Sequence, residues 1–225
     1  MPACYFLDMR HYDIRKFLIL LVLILLCLPS ISWGETSPTT VDGLRQAILN
    51  DVEKMRTADP ARYQDFMNVA IWVKRQNRKQ HPVLSALVSK AITDHVHDNF
   101  KYRSAEHRLN FLSLLMGIMK VESGYNPFAK SYANARGLMQ VHYPTWGRYF
   151  RSQEDVHHLQ KNLIVGTGIL NLYLARSGND LRKALLMYLG APANKPPEQT
   201  KEEYNQYVRN VVHSALRFKK HYTAR

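Results

Sequence analysis

The sequence predicts an all-α protein, and three features of the chain support this. Apolar residues recur at intervals of three and four from position 41 onward, which is the spacing of one face of a helix. No segment alternates apolar and polar residues over the length of a strand. Asp59 followed by Pro60 is typical of a helix start, with a capping carboxylate and a proline in the first turn.

Seven segments carry the helical pattern. The fourth is apolar on nearly every side, which indicates a buried central helix. The last leads into a basic end, residues 217–225, which we predict to be a solvated tail rather than a binding element. In chain order the segments are residues 41–55, 60–73, 84–96, 109–119, 162–174, 181–189 and 204–216.

A polar run at residues 74–81, ended by Pro82, marks a predicted domain boundary. Residues 35–82 then form a small N-terminal helical extension, and residues 83–225 form the main domain. The same polar run is also compatible with the exposed end of the preceding helix. Nothing in the residues of the extension indicates its purpose.

Residues 1–34 have the pattern of a secretory signal peptide. Three basic residues at positions 10–16 precede twelve apolar residues at 17–28, and small residues stand before position 35. An uncleaved membrane anchor is the less favoured alternative, because a span needs about 20 apolar residues. The leader therefore predicts a periplasmic location.

Both cysteines of the chain, Cys4 and Cys27, lie within this leader. A mature chain beginning at Glu35 would contain none, which excludes a structural disulfide, thiol catalysis and a cysteine metal site. Lipid attachment at Cys27 is a minor alternative, because bacterial lipoprotein signals need a small residue where Leu26 stands.

The chain is strongly basic, with a formal net charge of +13, and such a surface attracts polyanions. The leader argues against nucleic acid as the partner, and no nucleic-acid-binding motif is present. Anionic wall polymers and phospholipid surfaces of the envelope are the better candidates. A soluble basic protein without such a partner is the plain alternative.

Glu122 is the first candidate for chemistry. It directly follows an apolar helical segment that includes Met119 and Val121, where a carboxyl group is easily desolvated. Desolvation raises the pKa of a carboxyl group, which suits a general acid near neutral pH. Turn-forming residues follow between positions 124 and 137, and they are suited to building one wall of a cleft.

The run from 122 to 140 reads ESGYNPFAKSYANARGLMQ. Its Glu-Ser-Gly-Tyr-Asn-Pro start, its serine at position 131 and its Gly-Leu-Met-Gln end resemble the soluble lytic transglycosylases, lysozyme-like enzymes of the bacterial cell wall. The likeness continues more loosely to Val211 and does not cover the first third of the chain. It implies that residues 83–225 form a lysozyme-like transglycosylase domain acting on peptidoglycan glycan strands.

The resemblance implies a reaction with a single carboxyl group, Glu122. This acid would protonate the bond between N-acetylmuramic acid and N-acetylglucosamine. Its carboxylate would then take the proton of the muramyl 6-hydroxyl, which closes on the anomeric carbon as a 1,6-anhydro ring. Ordinary glycosidases use two carboxylates. Since most glutamates are simply solvated, the assignment depends on the motif, and a capping or salt-bridging glutamate is the alternative.

The resemblance also implies a set of substrate-binding residues. Ser131 would lie near the muramyl N-acetyl group, and the Tyr188 hydroxyl would lie near the acid and the sugar. Each polar member has a structural alternative, such as satisfying the end of a helix, bonding to the local backbone or tying down the loop. The set is Ser123, Ser131, Met139, Gln140 and Tyr188.

Two positions depart from the family pattern. Asn134 stands where the family usually has glycine, and asparagine tolerates a left-handed backbone conformation. Leu189 stands where the family has asparagine, which removes the hydrogen bonds of an amide beside Tyr188. Tyr207 matches the last and weakest block, and it is predicted either to face the acid or to pack in the core.

No cofactor or metal site is predicted. His95 and His97 are two residues apart, so they do not share a helix face, and the adjacent pair His157 and His158 fails for the same reason. The chain has no HExxH pattern, no glycine-rich phosphate loop and no dinucleotide fingerprint. We interpret the four histidines as surface or structural residues.

Two other functions stay open. A true peptidoglycan hydrolase (muramidase) would need a second carboxylate, for which Glu154 or Asp155 is the candidate. A wall-binding adaptor of an envelope machine is the other, and the change at Leu189 favours it. The sequence does not distinguish cleavage within strands from cleavage at their ends, and it does not indicate protein partners.

Overall fold

The computed structural model describes residues 40–100, 103–190 and 198–224, apart from the side chains of residues 100 and 198–201. The predicted leader lies outside these residues. The all-α prediction is confirmed for the described part of the chain. Its helices are α1 (Val41–Ala58), α2 (Pro60–Gln76), α3 (Pro82–Phe100), α4 (Ala105–Glu122), the single turn α5 (Tyr143–Trp146), α6 (Leu159–Arg176), α7 (Leu181–Leu189) and α8 (Glu198–Thr223).

Local sequence signals account for several helix ends. Asp59 caps α2 as predicted, because its Oδ1 accepts from the backbone N–H of Arg62 at 3.0 Å and Pro60 occupies the first turn. Ser104 caps α4 in the same way, accepting from the N–H of His107 at 3.3 Å. Cap residues satisfy N–H groups that lack a partner within the helix, so they fix where it begins.

The chain divides into two compact units, residues 1–50 and residues 51–225. The first unit contains the first part of α1, and the second contains everything described below. Within the second unit, α2 packs against α3, and its Val69, Trp72 and Val73 belong to the main core. The boundary predicted at residue 82 stays a prediction.

Helix α4 lies at the centre of the core and packs most extensively against α8. Its buried residues include Leu112, Leu115, Met116, Ile118 and Met119. A Cβ atom at Gly117 would lie only 2.4 Å from the carbonyl oxygen of Val211, so the glycine permits α8 to approach α4 closely. This contact positions the last turn of α4, where Glu122 lies.

The prediction of a solvated tail at residues 217–225 is wrong for residues 217–224, the part that the structure describes. Helix α8 continues to Thr223, and Phe218 is fully buried against the edge of Trp72, with ring centroids 5.6 Å apart. The hydroxyl of Tyr222 donates to Asp65 at 2.5 Å. Phe218 and Tyr222 follow Val211 at helical spacing and share its face, whereas Arg217 and Lys220 are exposed.

A short antiparallel hairpin follows α4, which the sequence does not predict. Strands β1 (Ala135–Arg136) and β2 (Val141–His142) pair with Ala135 opposite His142 and Arg136 opposite Val141. Strands of two residues are too short to show an alternating pattern. The hairpin brings the end of the motif, residues 137–140, back toward the end of α4.

None of the helices within the described residues combines the length and the apolar character needed to cross a membrane. This finding does not extend to the leader at residues 1–34.

Candidate active site

Glu122 is the last residue of α4, and its side chain is half-buried. Burial raises the pKa of its carboxyl group from 4.5 to about 7, and a hydrogen bond from Tyr207 acts in the opposite direction. The raised pKa predicted from the apolar helix is therefore found, with desolvation as its main cause. A carboxyl group with this pKa is partly protonated at neutral pH, as a general acid requires.

Tyr207 lies on α8, and its hydroxyl donates to Oε1 of Glu122 at 2.5 Å. Burial, followed by the neighbouring Glu122, raises the pKa of this phenol far above its ordinary range. The phenol therefore stays protonated and acts as a donor. Both alternatives predicted for Tyr207 hold together, because it faces the acid and is also buried in the core.

Ser123 caps the C-terminal end of α4. Its backbone N–H bonds to the carbonyl oxygen of Met119 at 3.2 Å, and its hydroxyl donates to the carbonyl oxygen of Leu138 at 2.7 Å. The second bond ties the residue after the acid to the end of the motif. Ser123 thus bonds to the backbone of α4 through its N–H and to the 138–139 segment through its hydroxyl.

Asn162, on α6, fixes the segment from 136 to 139. Its Oδ1 accepts from the N–H of Met139 at 2.8 Å. Its Nδ2 donates to the carbonyl oxygens of Arg136 and Val156, both at 2.9 Å. The side chain is almost completely buried, and all three bonds go to backbone groups.

Gly137 lies directly against Asn162. Its φ is +80°, and a Cβ atom there would lie 2.3 Å from Nδ2 of Asn162. Only glycine fits this position, because any side chain there would overlap the amide of Asn162. Asn134 adopts the predicted left-handed conformation, with a φ of +64°.

Ser131 and Gln140 both bond to the backbone of the motif. Oγ of Ser131 accepts from the N–H of Ala135 at 3.0 Å, which closes the turn before the hairpin. Nε2 of Gln140 donates to the carbonyl oxygens of Ala129 and Gly137 at 3.1 and 3.0 Å. These contacts correspond to the structural alternatives for the two residues.

Met139 and Tyr188 are joined by a hydrogen bond from the Tyr188 hydroxyl to the carbonyl oxygen of Met139, at 2.8 Å. Met139 is fully buried. Burial raises the pKa of Tyr188 well above its ordinary range, and the charge of Glu122 adds to this shift. Tyr188 therefore lies within electrostatic reach of the acid. Leu189, at the end of α7, is exposed.

A depression of about 440 Å³ opens between the end of α4 and helix α8. Val121, the residue before Glu122, lines it together with Tyr207. The remaining lining comes from polar residues of α8, namely Glu202, Glu203, Gln206 and Asn210. The helix that carries the donor to Glu122 thus also supplies the polar groups that line this depression.

The two candidates for a second carboxylate lie near the start of α6. Asp155 bonds to Nζ of Lys161 at 2.6 Å and accepts from the N–H of Arg151 at 3.0 Å. These contacts lower its pKa, so the group is an ion-paired carboxylate. The pKa of Glu154 is also lowered, chiefly by hydrogen bonding to its own backbone and to Ser152, and its side chain is exposed.

The histidines make structural contacts. His97 bonds to the buried carboxylate of Asp65 at 2.7 Å, and His95 bonds to the hydroxyl of Thr167 at 3.1 Å. His157 bonds to a backbone oxygen at 2.8 Å, and His158 caps α6. Among the described residues, no group of three or more histidine, cysteine, aspartate or glutamate side chains is arranged to hold a metal ion.

Sequence reasoning missed two features of the site. Asn162 was predicted only as the first residue of a helical segment, although its buried side-chain amide binds the backbone of Met139 and contacts Gly137. The hydrogen bonds from α2 to the turn after Glu122 were also missed, because they link residues about 50 positions apart. The apolar pattern of α2, with Trp72 on its buried face, was the available signal.

Comparison with known proteins places this site in a family. Residues 100–209 match the family model described as the Transglycosylase SLT domain. The membrane-bound lytic murein transglycosylase C of Actinobacillus pleuropneumoniae serotype 5b (strain L20) is 67% identical over 72 residues, covering 28% of this chain and 19% of the relative. The protein of the same name from Haemophilus ducreyi (strain 35000HP / ATCC 700724) is 47% identical over 77 residues, covering 30% of this chain and 20% of the relative.

These matches span only about a fifth of the length of the curated relatives. No solved structure matches the chain. The matched segment contains Glu122, Tyr188 and Tyr207, together with the hairpin and Asn162. Residues 100–209 of this chain are thus similar to the transglycosylase SLT domain family.

Proposed function

We propose that this protein is a lytic transglycosylase that cleaves the β-1,4 bond between N-acetylmuramic acid and N-acetylglucosamine in peptidoglycan and forms a 1,6-anhydro-muramyl product. The observation that carries the proposal is the carboxyl group of Glu122, which is half-buried at a helix end, has a pKa of about 7 and lies in a family domain.

Glu122 first acts as the acid. Its proton passes to the glycosidic oxygen as the bond from that oxygen to the anomeric carbon breaks, and N-acetylglucosamine leaves with a free 4-hydroxyl. The carboxylate then accepts the proton of the muramyl 6-hydroxyl as the 6-oxygen bonds to the anomeric carbon. The acid is regenerated and no water is consumed.

Tyr207 determines which carboxyl oxygen of Glu122 donates and accepts the proton. Since the phenol donates to Oε1, we assign the transferred proton to Oε2. The hydrogen bond favours the carboxylate, while burial favours the neutral acid. A group that serves first as an acid and then as a base benefits from such a balance, because neither protonation state is strongly disfavoured.

The remaining site residues act mainly by shaping the groove. We propose that Ser123, Met139 and Tyr188 hold the backbone around the acid, since their hydrogen bonds all involve the 138–139 segment. Ser131 has a hydroxyl proton to donate, and Gln140 has an amide oxygen to accept with. We propose that these two groups contact the N-acetyl and hydroxyl groups of the glycan.

We place the activity in the periplasm. The predicted leader supports export, and the relatives are named as membrane-bound murein transglycosylases. The net charge of +13 suits contact with anionic envelope polymers.

Product analysis on purified sacculi tests the proposal. Wild-type protein should release muropeptides with anhydro ends, which mass spectrometry distinguishes from reducing ends by one water. The Glu122→Gln variant keeps the shape of the side chain but has no acidic proton, so it should release nothing while remaining folded by circular dichroism. Activity retained by this variant would refute the assignment.

The matched control is Glu154→Gln. Glu154 is the exposed candidate for a second carboxylate, and its replacement should leave the release rate unchanged. If the wild-type protein released products with reducing ends and Glu154→Gln were inactive, the protein would instead be a hydrolase. Binding to sacculi without any released sugar would indicate an adaptor.

A further inference from the structure

Helix α2 precedes the family domain in sequence and yet contacts the turn that follows Glu122. The family match begins at residue 100, whereas α2 spans Pro60–Gln76 and ends at its cap residue Asn77. Its contacts with the turn are separate from the bond between Ser123 and Leu138. Residues outside the family domain therefore take part in holding the end of α4.

Two hydrogen bonds make this contact. Nε1 of Trp72 donates to the hydroxyl of Tyr125 at 2.8 Å, and that hydroxyl donates in turn to the carbonyl oxygen of Met116 at 2.9 Å. Nδ2 of Asn77 donates to the carbonyl oxygen of Gly124 at 3.3 Å. The second and third residues after the acid are thus each bound by α2 or its cap.

The backbone of Tyr125 requires such support. Its φ is +65°, in the left-handed region that a bulky L-residue rarely adopts. Conformations of this kind persist when the surrounding structure determines them. Tyr125 is fully buried, and its hydroxyl bridges the indole of Trp72 on α2 and the backbone of α4. The side chain therefore fixes the turn against two helices.

We infer that Trp72 and Asn77 are positioning residues for Glu122, through their hydrogen bonds to Tyr125 and Gly124. This gives a purpose to α2, and it rests on the proposed function of Glu122. When these bonds are lost, the turn gains freedom, the carboxyl group becomes more hydrated and its distance from the scissile bond varies. A displacement of about 1 Å at a reacting group can cost about 100-fold in rate.

The test is Trp72→Phe, which removes the indole donor and keeps an aromatic ring against Phe218. The control is Ile71→Val, a substitution on the same helix that leaves both hydrogen bonds in place and removes one buried methyl group. Two quantities are measured for each variant. One is the rate of sugar release at saturating sacculi. The other is the titration midpoint of the Glu122 carboxyl carbon by NMR, assigned by its loss in Glu122→Gln.

In Trp72→Phe we expect the saturated rate to fall about tenfold, with half-saturation by sacculi little changed. We expect the Glu122 midpoint to move from about 7 toward the ordinary 4.5. Ile71→Val should lower the melting temperature and leave both quantities as in the wild type. Asn77→Ala should act in the same direction as Trp72→Phe.

The inference is overturned if Trp72→Phe has the wild-type rate and midpoint, or if Ile71→Val changes both by the same amount. The titration needs no turnover. If the wild-type protein released no sugar, the proposed function would fail. The titration midpoints of the Glu122 carboxyl group in Trp72→Phe and Ile71→Val would still decide whether α2 controls the environment of Glu122.

Discussion

The hydroxyl of Tyr207 and the carboxylate of Glu122 are joined at 2.5 Å, although the two residues are 85 positions apart in the chain. The contact links the last residue of α4 to α8, and the close packing of these helices at Gly117 makes it geometrically possible. The Tyr207 hydroxyl stays protonated, so it always donates to Oε1 of Glu122 and leaves Oε2 for the reaction. The protonation of Glu122 is therefore controlled jointly by burial and by α8.

Replacing this donor should raise the pKa of Glu122. In Tyr207→Phe the hydrogen bond that favours the carboxylate is lost while burial remains, so the pKa should move above about 7. The basic limb of the pH–rate profile should shift to higher pH, and the rate at the optimum should fall on the order of tenfold. Tyr204→Phe, on the same helix, is the control and should leave the profile unchanged. A shift to lower pH would contradict the role of Tyr207.

Glu122 should also limit the stability of the protein at high pH. Its folded-state pKa of about 7 lies above the ordinary 4.5, so its stabilising contribution is complete below pH 4.5 and is lost as the pH rises through 7. The difference corresponds to at most about 3 kcal/mol. Glu122→Gln cannot ionise, so it should match the wild type near pH 4 and be more stable at pH 8.

Urea unfolding at the two pH values measures this difference. Glu154→Gln serves as the control, because its carboxylate is exposed and should give no gain at pH 8. Equal stability of wild type and Glu122→Gln at pH 8 would mean that the acid is not desolvated in solution.

Asp65 should be a major source of stability. Burial alone would raise its pKa, but hydrogen bonds from His97 and Tyr222 and the charge of Arg108 outweigh it, so the pKa is lowered. The three partners lie on α3, α8 and α4, with bonds of 2.7, 2.5 and 3.0 Å. Asp65→Asn should cost about 3–5 kcal/mol at pH 7, because it disrupts a buried charged network.

The pH dependence of this cost follows from the lowered pKa. The contribution of Asp65 is present above its ordinary pKa of 3.8 and is lost as the pH falls through the folded-state pKa. The control, Asp98→Asn, removes a carboxylate that is 66% exposed, and it should cost about 0–1 kcal/mol. Similar losses for the two variants in urea unfolding at pH 7 would count against the network.

Gly137→Ala should be more costly than Gly178→Ala. Both glycines have positive φ, +80° and +67°, so in both variants the strained backbone of alanine should lower the free energy of unfolding by roughly 1–2 kcal/mol. Only at Gly137 would the new methyl group overlap Nδ2 of Asn162, at 2.3 Å, while Gly178 faces open space. We expect a larger loss of unfolding free energy in Gly137→Ala, accompanied by reduced sugar release. Equal losses would mean that Asn162 moves aside freely.

Local patterns in the sequence were enough for much of the fold. Helical spacing predicts the positions of α4 and α6 and the extent of α7, and Asp59 with Pro60 predicts the start of α2. Asn134 was expected in a left-handed conformation and has a φ of +64°. These features depend on interactions between residues a few positions apart, so the order of residues alone specifies them.

The basic end and the hairpin show where local patterns fail. Residues 217–225 contain four lysine and arginine residues, which make the segment look like a solvated tail. Phe218 and Tyr222 are four positions apart, however, and share one face of a helix. The burial of that face depends on Trp72 and Asp65 of α2, which only the tertiary packing brings there. The hairpin pairs two residues on each side, and Asn162, from α6, holds the loop between them.

By itself, the sequence determined a helical chain with a carboxyl group at the end of an apolar helix, because spacing and composition act over one or two turns. Only the tertiary structure decided what surrounds that carboxyl group: the phenol of Tyr207, the backbone held by Asn162 and the turn held by Trp72. The pKa of a group depends on all neighbours within a few ångströms, and here those neighbours come from helices scattered along the chain.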